Sequence, residues 1–193
     1  MTVRLNLAAG PVRFGDDWIN VDLAPPAADQ RDLLNVRADF LNGIPFRDGS
    51  AGVIYLSHFL EHLAPMEQTA DFLKECRRIL APGGILRVSV PDFRKIACLY
   101  LSDPKEFYAE YDYRKPWFGR AHGWSHRLGI SVMHGHKMLY DLASLTETLE
   151  AAGFEDVLEV IGSCGGHLPI DARTEILPTH LTHSVVVDAV RAA

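Results

Sequence analysis

Apolar runs of strand length recur along this chain, and the longer gaps between them carry helical spacing. "VRLNLAA" (3–9) closes on Gly10-Pro11, "WINVDL" (18–23) and "NVRAD" (35–39) follow, and "AGVIYLS" (51–57) comes after the turn Arg47-Asp48-Gly49-Ser50. From Pro65 to Leu80, the residues Met66, Thr69, Ala70, Leu73, Cys76, Ile79 and Leu80 recur at three- and four-residue intervals, an amphipathic helix stopped by Pro82-Gly83-Gly84. "ILRVSV" (85–90) is the next strand, cut by Pro91. Residues 92–112 read as helical, 113–135 as irregular and 141–152 as a helix closed by Gly153, and two late strands, 155–162 and 182–190, end the pattern. Such alternation predicts an α/β domain built on a doubly wound, mostly parallel sheet of seven strands.

A chain of 193 residues, 48% of them hydrophobic, has material for one full core, so residues 1–193 are expected to form one domain. The formal net charge of −6 argues against nucleic acid or an anionic membrane as partner, except through a local basic patch. Cys76, Cys98 and Cys164 are odd in number and widely spaced, as reduced thiols are. No stretch approaches the roughly 18 apolar residues of a membrane span and no charged leader precedes the first strand, so the expected location is the cytoplasm. The oligomeric state is left open.

In a doubly wound sheet, ligands bind beyond the carboxyl ends of the strands. The residues there are Ala8-Ala9-Gly10, Asp22-Leu23, Asp39-Phe40 and Ser57-His58. Gly10 lets a ligand approach the backbone, and Asp22 can accept from two ribose hydroxyls. Only twelve residues separate them. A dinucleotide site wants G-x-G-x-x-G and an acid about 20 residues on, with a full helix aimed at the pyrophosphate, and this spacing leaves no room for that helix. A ligand with a ribose and no pyrophosphate fits better, and S-adenosylmethionine is one. Asp39 would then accept from the adenine amine while Phe40 or Leu41 packs on the ring.

The tracts "LNLAAG", "GDDWINVDL", "ADFLNGIPFRDGSAGVIYLSHFLEHL" and "FLKECRRILAPGGILRVSVPDF" resemble the class I S-adenosylmethionine-dependent methyltransferases. The likeness is to the small type-11-like branch, with patterns such as LNLGCG, GWxNVD, PFxDxSFDxVxxSHxLEHL and LxPGGxLRxxVPD. "HKMLYDLASLTETLEAAGF" (136–154) is similar to a later segment of that branch, and the resemblance spans about residues 4–100 and 136–190. It implies a Rossmann-like sheet whose last strand is antiparallel, S-adenosylmethionine as cofactor, and methyl transfer. It also implies that Ser57-His58 passes the methionine end of the cofactor and that Glu61-His62 opens the following helix. Two positions depart from the pattern. Ala8 stands at the first glycine of G-x-G, adding a methyl along the cofactor's path, and Ala51-Gly52 stands where Phe-Asp is common.

His58-x-x-Glu61-His62 also has the spacing of a zinc-peptidase motif, which needs a helix lining the cleft. Here the tract leaves a strand and Pro65 interrupts the helix soon after, so a metal-dependent hydrolase ranks last. Some class I O-methyltransferases, of small RNA and of quinone precursors, hold a divalent ion through E-x-x-E-H at this position, with His58 here replacing the first acid. Because His58 is expected on the strand-to-helix loop, the expectation is no bound metal; His58, Glu61 and His62 would form the site otherwise.

Residues 99–135 lie where single-domain methyltransferases build an acceptor pocket or lid. Within them "YRKPWFGRAHGWSHR" (113–127) holds four basic residues and no acidic one. Arg114, Lys115 and Arg120, with Trp117 and Trp124 as stacking walls, suit a small anionic or aromatic acceptor such as a saccharide or lipid precursor. Nucleic acid suits an acidic domain less well. The leading expectation is methyl transfer to oxygen, with His58, His134 and His136 as unranked candidates for the base that takes the proton. The rival is a non-catalytic module that binds the nucleoside and transfers nothing.

Overall fold

The computed structural model describes residues 2–15, 17–64, 67–110, 136–161, 166–168 and 183–192. Seven strands form one sheet: β1 (Val3–Leu7), β2 (Trp18–Asp22), β3 (Asn35–Arg37), β4 (Ala51–Ser57), β5 (Leu80–Pro91), β6 (Phe154–Glu159) and β7 (Ser184–Arg191). Their spatial order is β3-β2-β1-β4-β5-β7-β6. The first five are parallel, and β7 runs antiparallel between β5 and β6. Both the expected strand number and the expected antiparallel last strand are present. The helices are α1 (Glu67–Ile79), α2 (Phe93–Ser102), α3 (Pro104–Glu110) and α4 (Leu142–Ala151). None of the described helices is long and apolar enough to cross a membrane.

The two faces of the sheet differ because alternate strand residues differ. One face carries Leu5, Leu7, Val21, Ile54, Leu56, Leu86, Val88, Val185 and Val187, packed with Phe72, Leu73 and Cys76 of α1 and with Leu145 and Leu149 of α4. Each such aliphatic side chain contributes about 1.5–3 kcal/mol by leaving water. The opposite face carries a polar row in register across six strands, Asn35-Asn20-Asn6-Tyr55-Arg87-Asp188. Asn20 binds both Phe14 N and Phe14 O at 2.8 Å, and Asn6 donates to Asn20 Oδ1 and Val12 O at 3.0 Å. They tie down the loop between β1 and β2, which forms no helix among its described residues, and seat Phe14 against Trp18 and Tyr55.

Where element limits differ from expectation, a local cause is visible. β1 stops at Leu7 because Ala8 turns left-handed, with φ 52°. β3 stops short of Asp39 because that residue caps a 3-10 turn, Phe40–Asn42, accepting from Leu41 N. The expected helix over 92–112 divides at Asp103, whose carboxylate accepts from Lys105 N and Glu106 N and so starts α3. Residues 99–110 of the expected acceptor-side insertion therefore complete α2 and build α3. Pro82-Gly83-Gly84 is looped out within β5, whose register against β4 jumps from Ala51↔Leu80 to Val53↔Ile85.

Candidate functional site

The parallel strands end together, and the loops that leave them frame a cavity of about 400 Å³, within the ~300–1,000 Å³ range of small-molecule sites. Ala8, Asp22, Leu23, Ala38, Asp39 and Phe40 line it from the ends of β1, β2 and β3. His58, Phe59, His62, Leu63, Gln68 and Lys137 form the opposite wall. Of the cofactor-side residues expected from sequence, Ala8, Asp22, Leu23, Asp39, Phe40, His58 and His62 thus face one cavity. Ala9, Gly10, Ser57 and Glu61 do not line it.

Asp22 is fixed by backbone amides. Gly10 N donates to its Oδ2 at 2.8 Å and Ala24 N to its Oδ1 at 2.7 Å. Each carboxylate oxygen keeps a further lone pair for a ligand hydroxyl. Gly10 itself sits at φ 51°, a left-handed conformation that glycine adopts without strain. Asp39 is likewise engaged, accepting from Leu41 N and Asn42 Nδ2. Phe40 packs edge-on against Phe59 and Phe72, which anchors that wall. Leu23 and Leu41 stay 54% and 63% exposed at the cavity, two apolar side chains that the core does not use.

The His58-Phe59-Leu60-Glu61-His62 tract forms no α-helix. His58 takes a left-handed conformation (φ 51°), residues 60–62 make a separate 3-10 turn, and α1 begins only at Glu67. The expectation that Glu61-His62 opens the following helix is corrected accordingly: the 3-10 turn ends at Leu63, whose extended backbone breaks the run before α1. The helix that a peptidase motif requires is absent.

Glu61 lies behind the wall with its side chain 1% exposed. Burial pushes its carboxyl up to about 8. His58 Nδ1 stands 3.5 Å and His136 Nε2 3.8 Å from its Oε1. The other ring nitrogen of His58 lies 2.9 Å from Ser184 Oγ, and the rings of His62 and His136 meet edge to face at 4.7 Å. His136 reaches this place because Lys137 N and Met138 N both donate to the Glu61 carbonyl, at 2.8 and 3.2 Å. Gln68 and Lys137 were not anticipated at the cavity. Their only sequence signal was nearness to the histidine tracts, which does not report a side chain's direction.

His134, Arg114, Lys115, Trp117, Arg120 and Trp124 lie outside the described residues. A second hollow, bordered by Asp92, Arg94, Lys95, Cys98 and Asp141, has a structural account. Asp92 caps α2 and Asp141 forms a capping box with Ser144 at the start of α4.

Residues 6–88 match the family model described as a methyltransferase domain. No curated protein matches the chain in sequence. Among solved structures, a SAM-dependent methyltransferase from Archaeoglobus fulgidus is similar at 18% identity and TM-score 0.56, over 98% of this chain and 86% of that one. One from Mesorhizobium loti is similar at 18% identity and TM-score 0.54, over 98% and 90%. The 1,6-didemethyltoxoflavin-N1-methyltransferase of Burkholderia thailandensis is similar at 18% identity and TM-score 0.55, over 99% and 71%. At these identities the structural likeness speaks for the fold. The chain thus has the fold of the S-adenosylmethionine-dependent methyltransferases, and its residues 6–88, which include the strands that frame the cavity, are similar to a methyltransferase domain.

Proposed function

We propose that this chain binds S-adenosylmethionine in the cavity at the strand ends and passes its methyl group to an oxygen of a small-molecule acceptor. The observation that carries the reading is the Asp22 carboxylate in the cavity wall, held open by two backbone amides and flanked by the exposed Leu23 and Leu41. That pairing of an acceptor with apolar flanks suits a ribose joined to a flat base. Asp22 takes the ribose hydroxyls, Asp39 the amine of the base, and Leu23 and Leu41 cover its faces. The bound sulfonium supplies an electrophilic methyl; the chain supplies position and a proton acceptor. Among the three histidines considered as base, His58 lines the cavity. Arg114, Lys115 and Arg120, with Trp117 and Trp124, are assigned to an anionic or aromatic acceptor on their composition. The similar Burkholderia enzyme, an N1-methyltransferase, is described with 1,6-didemethyltoxoflavin and S-adenosylhomocysteine bound.

Calorimetric titration with S-adenosylmethionine and S-adenosylhomocysteine tests the reading. Micromolar binding is expected, and no binding at millimolar ligand would sink it.

The non-catalytic alternative draws on Ala8. Its left-handed conformation costs an L-residue about 1–2 kcal/mol, and its methyl faces the cavity. Ala8→Gly is therefore expected to stabilise the fold by about 0.5–1 kcal/mol after glycine's own entropic cost. It should also leave more room for the cofactor. If Ala8 limits the ligand, cofactor affinity rises in the variant; if affinity falls, the methyl is part of a fitted site and the alternative loses its basis. Thermal unfolding and titration of the one variant give both answers.

A further inference from the structure

We propose that Lys137 and Gln68 form an anion subsite on the cavity wall opposite Asp22, and that it anchors a carboxylate or phosphate group of the methyl acceptor. Among the described residues, Lys137 is the only lysine or arginine that lines the cavity. The segment that carries it is pinned, since Lys137 N and Met138 N donate to the Glu61 carbonyl at 2.8 and 3.2 Å. That bond fixes the root of the side chain at the turn that brings His62 to the same wall.

The two carboxylates that border the cavity do not use this charge. Asp22 is bound by the amides of Gly10 and Ala24, and Asp39 by Leu41 N and Asn42 Nδ2. The Lys137 ammonium has no ion pair or hydrogen bond among the described residues. A solvated ammonium is common on any surface, and Gln68 is what sets this one apart. Gln68 Oε1 accepts from Ala64 N at 2.8 Å. Only the oxygen of a side-chain amide can accept from a backbone amide, so the chemistry fixes which way Gln68 is turned. Its NH2 group has no partner among the described residues, and the residue lines the cavity. An ammonium and an amide NH2 on one wall offer donors that a negative charge satisfies best, because charge-assisted hydrogen bonds are about twice as strong as neutral ones. Lysine acts as a compact point charge, which serves a carboxylate and a phosphate alike.

Position gives the anion to the acceptor. With its ribose on Asp22 and its base beside Asp39, the cofactor lies along the wall at the ends of β1, β2 and β3. A methyl group that is to reach a second molecule in the cavity then points toward the wall of His58, Gln68 and Lys137. An acceptor that meets it there lays its own substituents against Lys137 and Gln68. In a chain of net charge −6, this local cation is what draws an anionic molecule to the cavity. The assignment to the acceptor rests on the methyltransferase reading; the affinity of the wall for an anion does not.

The test uses the full chain at low ionic strength, where exposed charges are least screened, with phenyl phosphate as the probe and phenol as its neutral counterpart. Ligand-observed NMR gives both dissociation constants, with and without saturating S-adenosylhomocysteine. Phenyl phosphate is expected to bind about tenfold tighter than phenol in both states. Lys137→Ala should bring the two probes within about twofold of each other, and Lys137→Arg should keep the preference. Lys137 is exposed, so neither change threatens the fold. Gln68→Glu retains the oxygen that receives Ala64 N and puts a carboxylate oxygen where the NH2 stood, so it should abolish the preference and leave the melting temperature unchanged. An equal preference in parent and Lys137→Ala overturns the proposal, as does its absence from the parent. Methylthioadenosine, which keeps the nucleoside and lacks the amino-acid end, tells the cofactor's own carboxylate from the acceptor's anion. Lys137→Ala is expected to bind it and S-adenosylhomocysteine as the parent does. A loss for S-adenosylhomocysteine alone would give Lys137 to the cofactor and overturn the assignment to the acceptor. A parent that prefers the anion yet binds neither nucleoside removes the methyltransferase reading, and the acceptor with it, while the anion subsite stands.

Discussion

Asp188→Ala is expected to lower the free energy of unfolding by about 3–5 kcal/mol, a large part of the ~5–15 kcal/mol typical of a domain. Asp188 is fully buried in β7 and meets Arg87 of β5 in a two-pronged pair at 2.6 and 2.8 Å. Its Oδ2 also accepts from His167 N at 2.7 Å and Leu168 N at 3.1 Å. Truncation therefore strands a buried guanidinium and two backbone amides at once. The same carboxylate explains Gly166, where a Cβ would come within 2.4 Å of Asp188 Oδ2. Denaturant unfolding measures the loss as a lower midpoint. Asp188→Asn keeps the shape and one acceptor oxygen, so it should fall between parent and Asp188→Ala. A loss below about 1 kcal/mol for Asp188→Ala would mean that water readily replaces the pair.

How far the sequence could be read follows from the same two faces. Leu5, Leu7, Val21, Ile54, Leu56 and Val88 announce strands because their apolar alternation is local, and the strand order follows once five of them arrive as parallel units. The polar residues between them were harder. Asn6, Asn20, Arg87 and Asp188 are 0–4% exposed, yet in sequence they look like the solvent side of a half-buried strand. Their burial depends on partners brought by the fold: Arg87 and Asp188 are 101 residues apart. At the cavity, Asp22 and Asp39 were legible because a strand end predicts a position, whereas Lys137 was not, since it arrives through a backbone bond to the Glu61 carbonyl. The "SHFLEHL" tract invited a helix by its spacing alone. The chain makes a left-handed turn and a 3-10 turn there, because His58 N is drawn to Ser89 O on the neighbouring strand at 2.8 Å.

Asp22→Ala is expected to cost about 1.5–3 kcal/mol of S-adenosylhomocysteine binding, tenfold to more than a hundredfold in affinity. On sequence alone the substitution would leave folding nearly untouched. The structure changes that expectation, because Asp22 also receives the amides of Gly10 and Ala24. Their loss should cost a further ~1–2 kcal/mol of stability, and the Gly10 loop will shift. Weaker binding by the variant would then have two explanations, a lost ribose contact or a displaced loop. Ligands that lack one ribose hydroxyl separate them in a double-mutant cycle. If Asp22 holds the hydroxyls, removing one should weaken binding to the parent by about tenfold and leave binding to Asp22→Ala unchanged, because the partner has already gone. If the carboxylate only shapes the loop, deoxygenation should cost both proteins the same. Equal costs in the two proteins would move the ribose away from Asp22 and take with them the observation on which the assignment of the cavity rests.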